Sequence, residues 1–290
     1  MKYHVPQARV VSQQKSGSNV FVLTIESAEI AREASPGQFA HLRCHNSFDP
    51  LLRRPLSIYQ VERVAGLVSF CYQVVGKGTK LLSELKAGAV LDVLGPLGNG
   101  FATDIKDKKV GLVGGGMGVA PLIFLGQQLA LQNQVEAFWG ARNKELLPPL
   151  ANCADQFPFS LATEDGSGGR RGLVTSLLEE WLAKELPARL YACGPRPMLA
   201  AVARLARERR IPLQVSLEAV MACGVGACLG CTCEKAKTKN QAVEYTHDTQ
   251  HTHAETAAEA GSAEMAEKRL KVCQDGPVFW AEEVRWNGEN

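Results

Sequence analysis

No stretch of this chain combines the length and apolarity of a membrane span. The longest uncharged run, Val110 to Val135, is broken by Gly114-Gly115-Gly116, Pro121 and several Gln and Asn, and reads as strand, loop and helix. Charge of one sign is also lacking. Lys and Arg number 32 against 30 Asp and Glu, leaving +2, which gives no basis for nucleic acid or an anionic membrane surface as partner. The opening residues, Met1-Lys2-Tyr3-His4-Val5-Pro6, hold no apolar h-region, so no secretory signal is expected there. No internal repeat is visible. Cysteine, by contrast, is plentiful: nine thiols without an export signal point to a reducing cytoplasm and a metal site. The 290 residues suffice for two or three domains with their own cores.

The thiols are not scattered evenly. Cys223, Cys228 and Cys231 form a C-x4-C-x2-C loop, and Cys273 follows as a remote fourth. That spacing is the plant-type [2Fe–2S] pattern, in which one tight loop supplies three of four thiolates. Gly224, Gly226 and Gly230 let such a loop bend and aim N–H groups at sulfur. A structural zinc site also uses four thiolates, but usually as two C-x2-C pairs, and disulfides need an oxidising compartment. Cys233 lies two residues after Cys231, and is expected not to be a ligand. The stretch from about 235 to 267 is polar, carries His247, His251 and His253, and reads as a solvated insertion rather than a metal site.

Short β-rich runs fill the first hundred residues: Ala8–Val11, Val20–Ile25, Gln38–Arg43, Leu56–Val61, Leu67–Val75 and Val90–Leu94. Six such runs with one short helix, Gly78–Leu85, indicate a small antiparallel barrel. Arg54-Pro55-Leu56-Ser57 offers a guanidinium fork and a hydroxyl to a pyrophosphate. Gly78 and Thr79 would add backbone N–H groups and a hydroxyl at the start of the helix.

From residue 103 the pattern changes to alternating strands and helices. Lys109–Val113 reads as a buried strand running into Gly114-Gly115-Gly116-Met117-Gly118-Val119-Ala120-Pro121 and an apolar helix, Leu122–Leu131. Strands at Val135–Gly140, Phe159–Thr163, Arg189–Cys193 and Leu213–Leu217 and helices at Thr175–Leu186 and Met198–Arg209 complete a parallel sheet covered on both faces. Glu164 and Asp165 end one strand, where a carboxylate can accept from a ribose hydroxyl and repel a 2′-phosphate, favouring NAD over NADP. Arg170 and Arg171 follow within a few residues and pull the other way.

Taken together, Arg54-Pro55-Leu56-Ser57-Ile58, the Gly76-Lys77-Gly78-Thr79 turn and Leu94-Gly95-Pro96-Leu97-Gly98 resemble the flavin domain of the ferredoxin–NADP reductase superfamily. The glycine loop and Cys193-Gly194-Pro195-Arg196-Pro197-Met198 are similar to its nicotinamide domain. With the C-terminal thiols in Ala222-Cys223-Gly224-Val225-Gly226-Ala227-Cys228 and Val272-Cys273-Gln274-Asp275-Gly276-Pro277-Val278-Phe279, nearly the whole chain resembles the electron-transfer subunit of class 1B dihydroorotate dehydrogenase. A longer stretch before Cys273 departs from that family's pattern. A sister branch, the small subunit of NADH-dependent ferredoxin:NADP oxidoreductase and sulfide dehydrogenase, places Asp at the first ligand, where this chain has Cys223.

The resemblance implies an FAD barrel over 1–102, an NAD-binding α/β domain over 103–214 and a cluster domain over 215–290. It implies that Arg54–Ser57 line the flavin and its phosphates, and that Cys71, Tyr72 and Gln73 flank the ring. Gly78 and Thr79 would hold the pyrophosphate, while Gly114, Gly115, Gly116, Gly118, Pro121, Cys193, Gly194, Pro195 and Met198, with Glu164, would hold NAD. Cys223, Cys228, Cys231 and Cys273 would hold the [2Fe–2S] centre. The expected activity is electron transfer between NAD and an FMN-containing partner that oxidises dihydroorotate in pyrimidine biosynthesis, in a cytoplasmic heterotetramer. No side chain of this chain is expected to act as a catalytic acid or base. The alternative is a flavin iron–sulfur reductase subunit serving another oxidoreductase.

Overall fold

The structure is a computed structural model, and it describes residues 2–45, 47–236 and 269–286. The three histidines of the polar insertion lie outside the described residues. Six strands close into an antiparallel barrel: β1 (Tyr3–Lys15), β2 (Val20–Glu26), β3 (Phe39–Leu42), β4 (Arg54–Glu62), β5 (Leu67–Gln73) and β6 (Val90–Leu97), in the order β1-β2-β5-β4-β3-β6. Alternation drives the closure: Leu23, Ile25, Ile58, Val68, Phe70 and Val93 point inward and are fully buried. A bulge between Val10 and Ser12 helps β1 bend to meet both β2 and β6.

Two helices decorate the barrel. One, α1 (Ala28–Glu33), was not among the elements expected from the sequence. Its first turn is capped by the Ser27 hydroxyl, which accepts from the Ile30 N–H, and it buries Ile30 and Ala31. At six residues it is too short to announce itself by periodicity. The other, α2 (Lys77–Ser83), is the expected short helix.

The second unit is a seven-stranded sheet. Its strands are β7 (Lys109–Gly115), β8 (Gln134–Ala141), β9 (Phe159–Thr163), β10 (Arg170–Arg171), β11 (Arg189–Cys193), β12 (Leu213–Ser216) and β15 (Val278–Trp280), ordered β10-β9-β8-β7-β11-β12-β15. All neighbours are parallel except β12 and β15. Helices α3 (Val119–Leu129) and α4 (Ala151–Ala154) cover one face, and α5 (Val174–Leu182) and α6 (Arg196–Glu208) the other. The central strand β7 is buried from Val110 onward, as a parallel strand covered on both faces must be. Helix α3 also packs on β4, so it lies between sheet and barrel.

Beyond β12 the chain forms the thiol loop and a small antiparallel pair, β13 (Thr232–Glu234) with β14 (Arg269–Lys271). It returns as β15, so Val278–Trp280, for which no strand is expected from the sequence, serves as an edge strand of the seven-stranded sheet. Among the described residues no helix is long and apolar enough to cross a membrane.

Candidate functional site

A cavity of about 450 Å³ opens where the carboxyl ends of β7, β11 and β12 meet the barrel. Ligands of open α/β sheets bind in this place because the strands there end in loops. On the barrel side, antiparallel pairing of β4 with β5 (Ile58 opposite Phe70) brings Arg54–Ser57 alongside Cys71–Gln73, and all seven line the cavity. The guanidinium of Arg54 lies directly on the backbone of Gly78, where a Cβ would stand 2.6 Å from Nε and 2.8 Å from Cζ. Only glycine admits that approach. Arg54 Nη1 donates to Leu52 O at 2.7 Å, which holds the fork at the rim.

The Thr79 hydroxyl is otherwise engaged. It accepts from the N–H groups of Val75 and Gly76 (3.0 and 3.2 Å) and donates to Gly76 O (3.0 Å). Its task is to shape the turn, and what the turn offers an anion is backbone N–H and the Arg54 charge. Burial pushes the Cys71 thiol up to about 12 and raises the Tyr72 phenol, whose oxygen accepts from Gln13 at 2.7 Å. Neither group is poised to ionise, so this wall is a neutral surface against which a flat ring can pack.

On the sheet side, β7 and β11 are neighbours with Gly114 opposite Cys193. Their two turns interlock through glycines. A Cβ on Gly118 would stand 2.4 Å from Cys193 O, and one on Gly115 2.6 Å from Met198 Sδ and 2.9 Å from Pro195 Cδ. A Cβ on Gly194 would meet Met198 and the Gly115 backbone. Gly116, by contrast, has φ +56° and nothing within 4 Å of where a Cβ would stand, so that side of the turn borders open space. Of the expected residues here, Gly118, Pro121 and Cys193 line the cavity, and Gly114–Gly116, Gly194, Pro195 and Met198 form its supporting turns. Glu164 is exposed at the end of β9, two strands from β7. Asp165 accepts from the Ser167 N–H at 2.8 Å, which holds its carboxyl below the usual range. Arg170 is paired with Glu180 of α5 at 2.6 Å.

Cavity residues that the motifs did not reveal come mainly from Ser216 to Met221, with Phe39 and Met117. The signal for the first group was available: they follow the last parallel strand, at its carboxyl end. Glu218 is open to solvent through the cavity and hemmed in by protein elsewhere, and that desolvation raises its pKa. Burial, followed by the Glu218 charge, pushes the Cys193 thiol up to about 12.

The thiol loop begins two residues after Met221. All nine cysteines are free, and hydrogen bonds from backbone N–H to sulfur link four of them as two pairs, Cys223 with Cys228 and Cys231 with Cys273. Cys223 Sγ accepts from the N–H of Cys228 (3.4 Å) and of Val225 (3.5 Å). Cys231 Sγ accepts from Cys273 N–H (3.4 Å), and Cys273 Sγ from Gly226 N–H (3.2 Å). Gly224 and Gly226, at φ +71° and +86°, turn these donors inward. Against the effect of burial, the Val225, Cys228 and Ala227 N–H groups bring the Cys223 thiol down to about 6. Burial and the thiol contact with Cys231 push Cys273 up to about 12.

No three Cys, His, Asp or Glu side chains among the described residues converge closely enough for a single ion. Two separated pairs suit a two-iron cluster, in which each iron takes two thiolates, better than one tetrahedral zinc. Cys233 sits on β13 opposite Leu270, half-buried against the core, and takes no part in either pair.

Barrel, parallel sheet, shared cavity and appended thiol loop define a flavin- and nicotinamide-linked reductase carrying an iron–sulfur domain. Residues 218–247 match the family described as the iron–sulfur cluster binding domain of dihydroorotate dehydrogenase B. The chain is 38% identical over 285 residues to the dihydroorotate dehydrogenase B (NAD(+)) electron transfer subunit of Desulforamulus reducens, covering 96% of this chain and 97% of that one. The corresponding subunit of Geobacillus thermodenitrificans is 39% identical, over 95% and 96% of the two chains. Among solved structures, an NADH-dependent reduced ferredoxin-NADP oxidoreductase studied for flavin-based electron bifurcation superposes with a TM-score of 0.77 at 29% identity, covering 98% and 91%. A ferredoxin reductase in carbazole 1,9a-dioxygenase shares the fold at 0.64 and 21% identity, covering 74% and 69%. The chain belongs to the family of dihydroorotate dehydrogenase B (NAD(+)) electron transfer subunits.

Proposed function

We propose that this chain carries electrons between NAD and a dihydroorotate-oxidising partner subunit, with FAD in the cavity and a [2Fe–2S] cluster on Cys223, Cys228, Cys231 and Cys273. The observation that carries the reading is the distance along the backbone between the two sites. Met221 lines the cavity and Cys223 opens the thiol loop, so two residues, at most about 7 Å of chain, join them. FAD exchanges a hydride with NAD and single electrons with an iron–sulfur centre, so it suits a cavity placed between the two.

The residues supply position and charge. Arg54 and the Gly76–Gly78 turn would hold the flavin pyrophosphate, and the neutral wall of Cys71 and Tyr72 would pack against its ring. The interlocked turns at Gly114–Gly118 and Cys193–Met198 would receive the nicotinamide nucleotide, with Glu164 near its ribose favouring NAD. Cys228 is exposed, and Val220, Val225 and Leu229 beside it are exposed apolar groups, a surface suited to a partner. A cytoplasmic heterotetramer accords with this reading.

Anaerobic absorbance and EPR spectra before and after NADH test it. Flavin bands that bleach while a rhombic [2Fe–2S] signal appears are expected. Zinc with no EPR signal overturns the cluster. A second reading rests on the 0.77 TM-score to the NADH-dependent oxidoreductase: a reductase subunit serving another oxidoreductase. The identity of the co-purifying partner separates the two.

A further inference from the structure

His41 is fully buried, and neither of its ring nitrogens has a hydrogen-bond partner. A neutral imidazole always carries one N–H donor and one acceptor lone pair. Leaving such a group unpaired in the interior forfeits its hydration with nothing in return, so an orphan of this kind calls for a partner.

Its surroundings say where that partner lies. On β3, Ala40 and Leu42 point into the barrel core, so Phe39 and His41 project from the outer face. Phe39 lines the flavin cavity, and its ring centroid is 5.7 Å from that of His41. On the other side the ring meets the thiol loop. A Cβ built on Gly224 would stand 2.8 Å from Cε1 and Nε2 and 3.0 Å from Nδ1. Near-equal distances to three ring atoms put Gly224, the residue that follows Cys223, over the face of the imidazole, so the in-plane ring nitrogens run alongside the thiol loop. No described protein group satisfies either nitrogen, while the loop packed on the ring gathers four sulfurs.

We infer that His41 is a positioning residue of the iron–sulfur site, whose ring N–H donates to sulfur of the cluster held by the four cysteines and thereby raises its reduction potential. This rests on the cluster reading given above. Reduction adds negative charge that spreads onto sulfur, and a fixed donor stabilises the reduced form more than the oxidised form. The donor belongs to the flavin barrel rather than to the thiol domain. The barrel therefore influences the centre across a domain boundary, with no change in protonation.

The test is an EPR-monitored redox titration of the complete protein, with any partner that co-purifies, for the wild type, His41→Leu and His41→Gln. With iron and sulfide content intact, His41→Leu is expected to lower the ratio of reduced to oxidised cluster at fixed potential about tenfold, which is about 59 mV for a one-electron couple. His41→Gln keeps an N–H donor and is expected to stay within about threefold of the wild type. A fully loaded His41→Leu protein with an unchanged potential overturns the inference. Should the substitutions prevent loading, pulsed EPR on a ¹⁵N-histidine-labelled chain that retains only His41, with the other five histidines replaced by Gln, decides the matter. A nitrogen coupling on the reduced cluster supports the hydrogen bond, and its absence overturns it. Wild-type protein lacking iron and sulfide marks the separate failure of the cluster reading.

Discussion

Replacing Gly118 by Ala tests whether the turns at Gly114–Gly118 and Cys193–Met198, proposed to receive the nicotinamide nucleotide, work as one unit. Gly118 has ordinary helical φ, −63°, so the added methyl brings no backbone strain. What it brings is collision. The new Cβ would lie 2.4 Å from Cys193 O, 2.5 Å from Cys193 C and 2.6 Å from Gly194 N, all backbone atoms that cannot rotate away. The Gly118 turn or the Cys193–Gly194 turn has to move by roughly 1 Å to restore contact distance. Overpacking of this kind costs about 1–3 kcal/mol, and about 1.4 kcal/mol is tenfold in binding. If the cost falls on the geometry that receives the coenzyme, KM for NADH rises roughly five- to hundredfold. Iron content should be unchanged, while FAD content is followed as a separate readout, because Gly118 and Cys193 also line the cavity. NADH-driven reduction of an artificial acceptor gives KM, and visible absorbance gives the flavin content. The control is Gly88→Ala, where φ is +88° and no atom lies within 4 Å. That variant should lose about 1–2 kcal/mol of stability to backbone strain with KM unaltered. A Gly118→Ala protein with wild-type KM and melting temperature would refute the interlocking of the two turns.

Four further outcomes are expected. Asp92 lies 2.6 Å from Arg53 Nη2 and 2.7 Å from His4 Nε2, and against the effect of burial these hydrogen bonds hold its carboxyl below the usual value of 3.8. Asp92→Asn should therefore cost about 1 kcal/mol in thermal melts at pH 7, and the gap should close as the pH falls below the ordinary carboxylate range. Glu218 is the opposite case: desolvation raises its pKa, so its charge opposes folding above the folded-state pKa and not below the unfolded one. Glu218→Gln should raise the melting temperature relative to wild type at pH 8 and leave it level at pH 4. Cys233→Ser should retain iron and acid-labile sulfide while Cys231→Ser and Cys273→Ser lose both, as metal analysis would show. Removing residues 240–265 should leave cluster content unchanged, since shortening a loop reduces its closure entropy by only about 0.6 kcal/mol per halving. Loss of iron on that deletion would show that the insertion helps to hold the metal.

The barrel strands, the βα units and the thiol loop were legible because each rests on a local pattern. The run Val20–Ile25 becomes β2, with Leu23 and Ile25 in the barrel core and Val20 in the neighbouring one, and the glycine run after Lys109–Val113 is the turn between β7 and α3. What escaped depended on tertiary pairing. Arg170 and Arg171 enter the sequence only as charges near Glu164, yet they add a short strand to β9. No strand is expected at Val278–Trp280, yet it completes the sheet beside β12. Phe39 and His41 carry no motif, and their importance arises because the outer face of β3 meets two other parts of the chain. The Thr79 hydroxyl shows the converse. The residue lies where the motif puts it, but local hydrogen bonds have already claimed its side chain.

The β13–β14 pair explains how an insertion of such length can separate Cys231 and Cys273, two of the four thiols proposed to hold one cluster. Pairing of Thr232 with Lys271, Cys233 with Leu270 and Glu234 with Arg269 sets a register whose next step places Cys231 beside Val272. Val272 N–H donates to Cys231 O, and Cys273 N–H reaches Cys231 Sγ. The third and fourth thiols are thus positioned by a ladder on the near side of the insertion. The ladder is anchored again where Ala236 N–H meets Glu283 O and Arg285 N–H meets Glu234 O. Chain length beyond Ala236 does not enter that geometry. The first two thiols follow the short run from β12 along the cavity. Two anchors of different origin, one on the parallel sheet and one on the ladder, therefore hold the two halves of the thiol set. The return strand β15 joins them, because it pairs with β12 only five residues after Cys273.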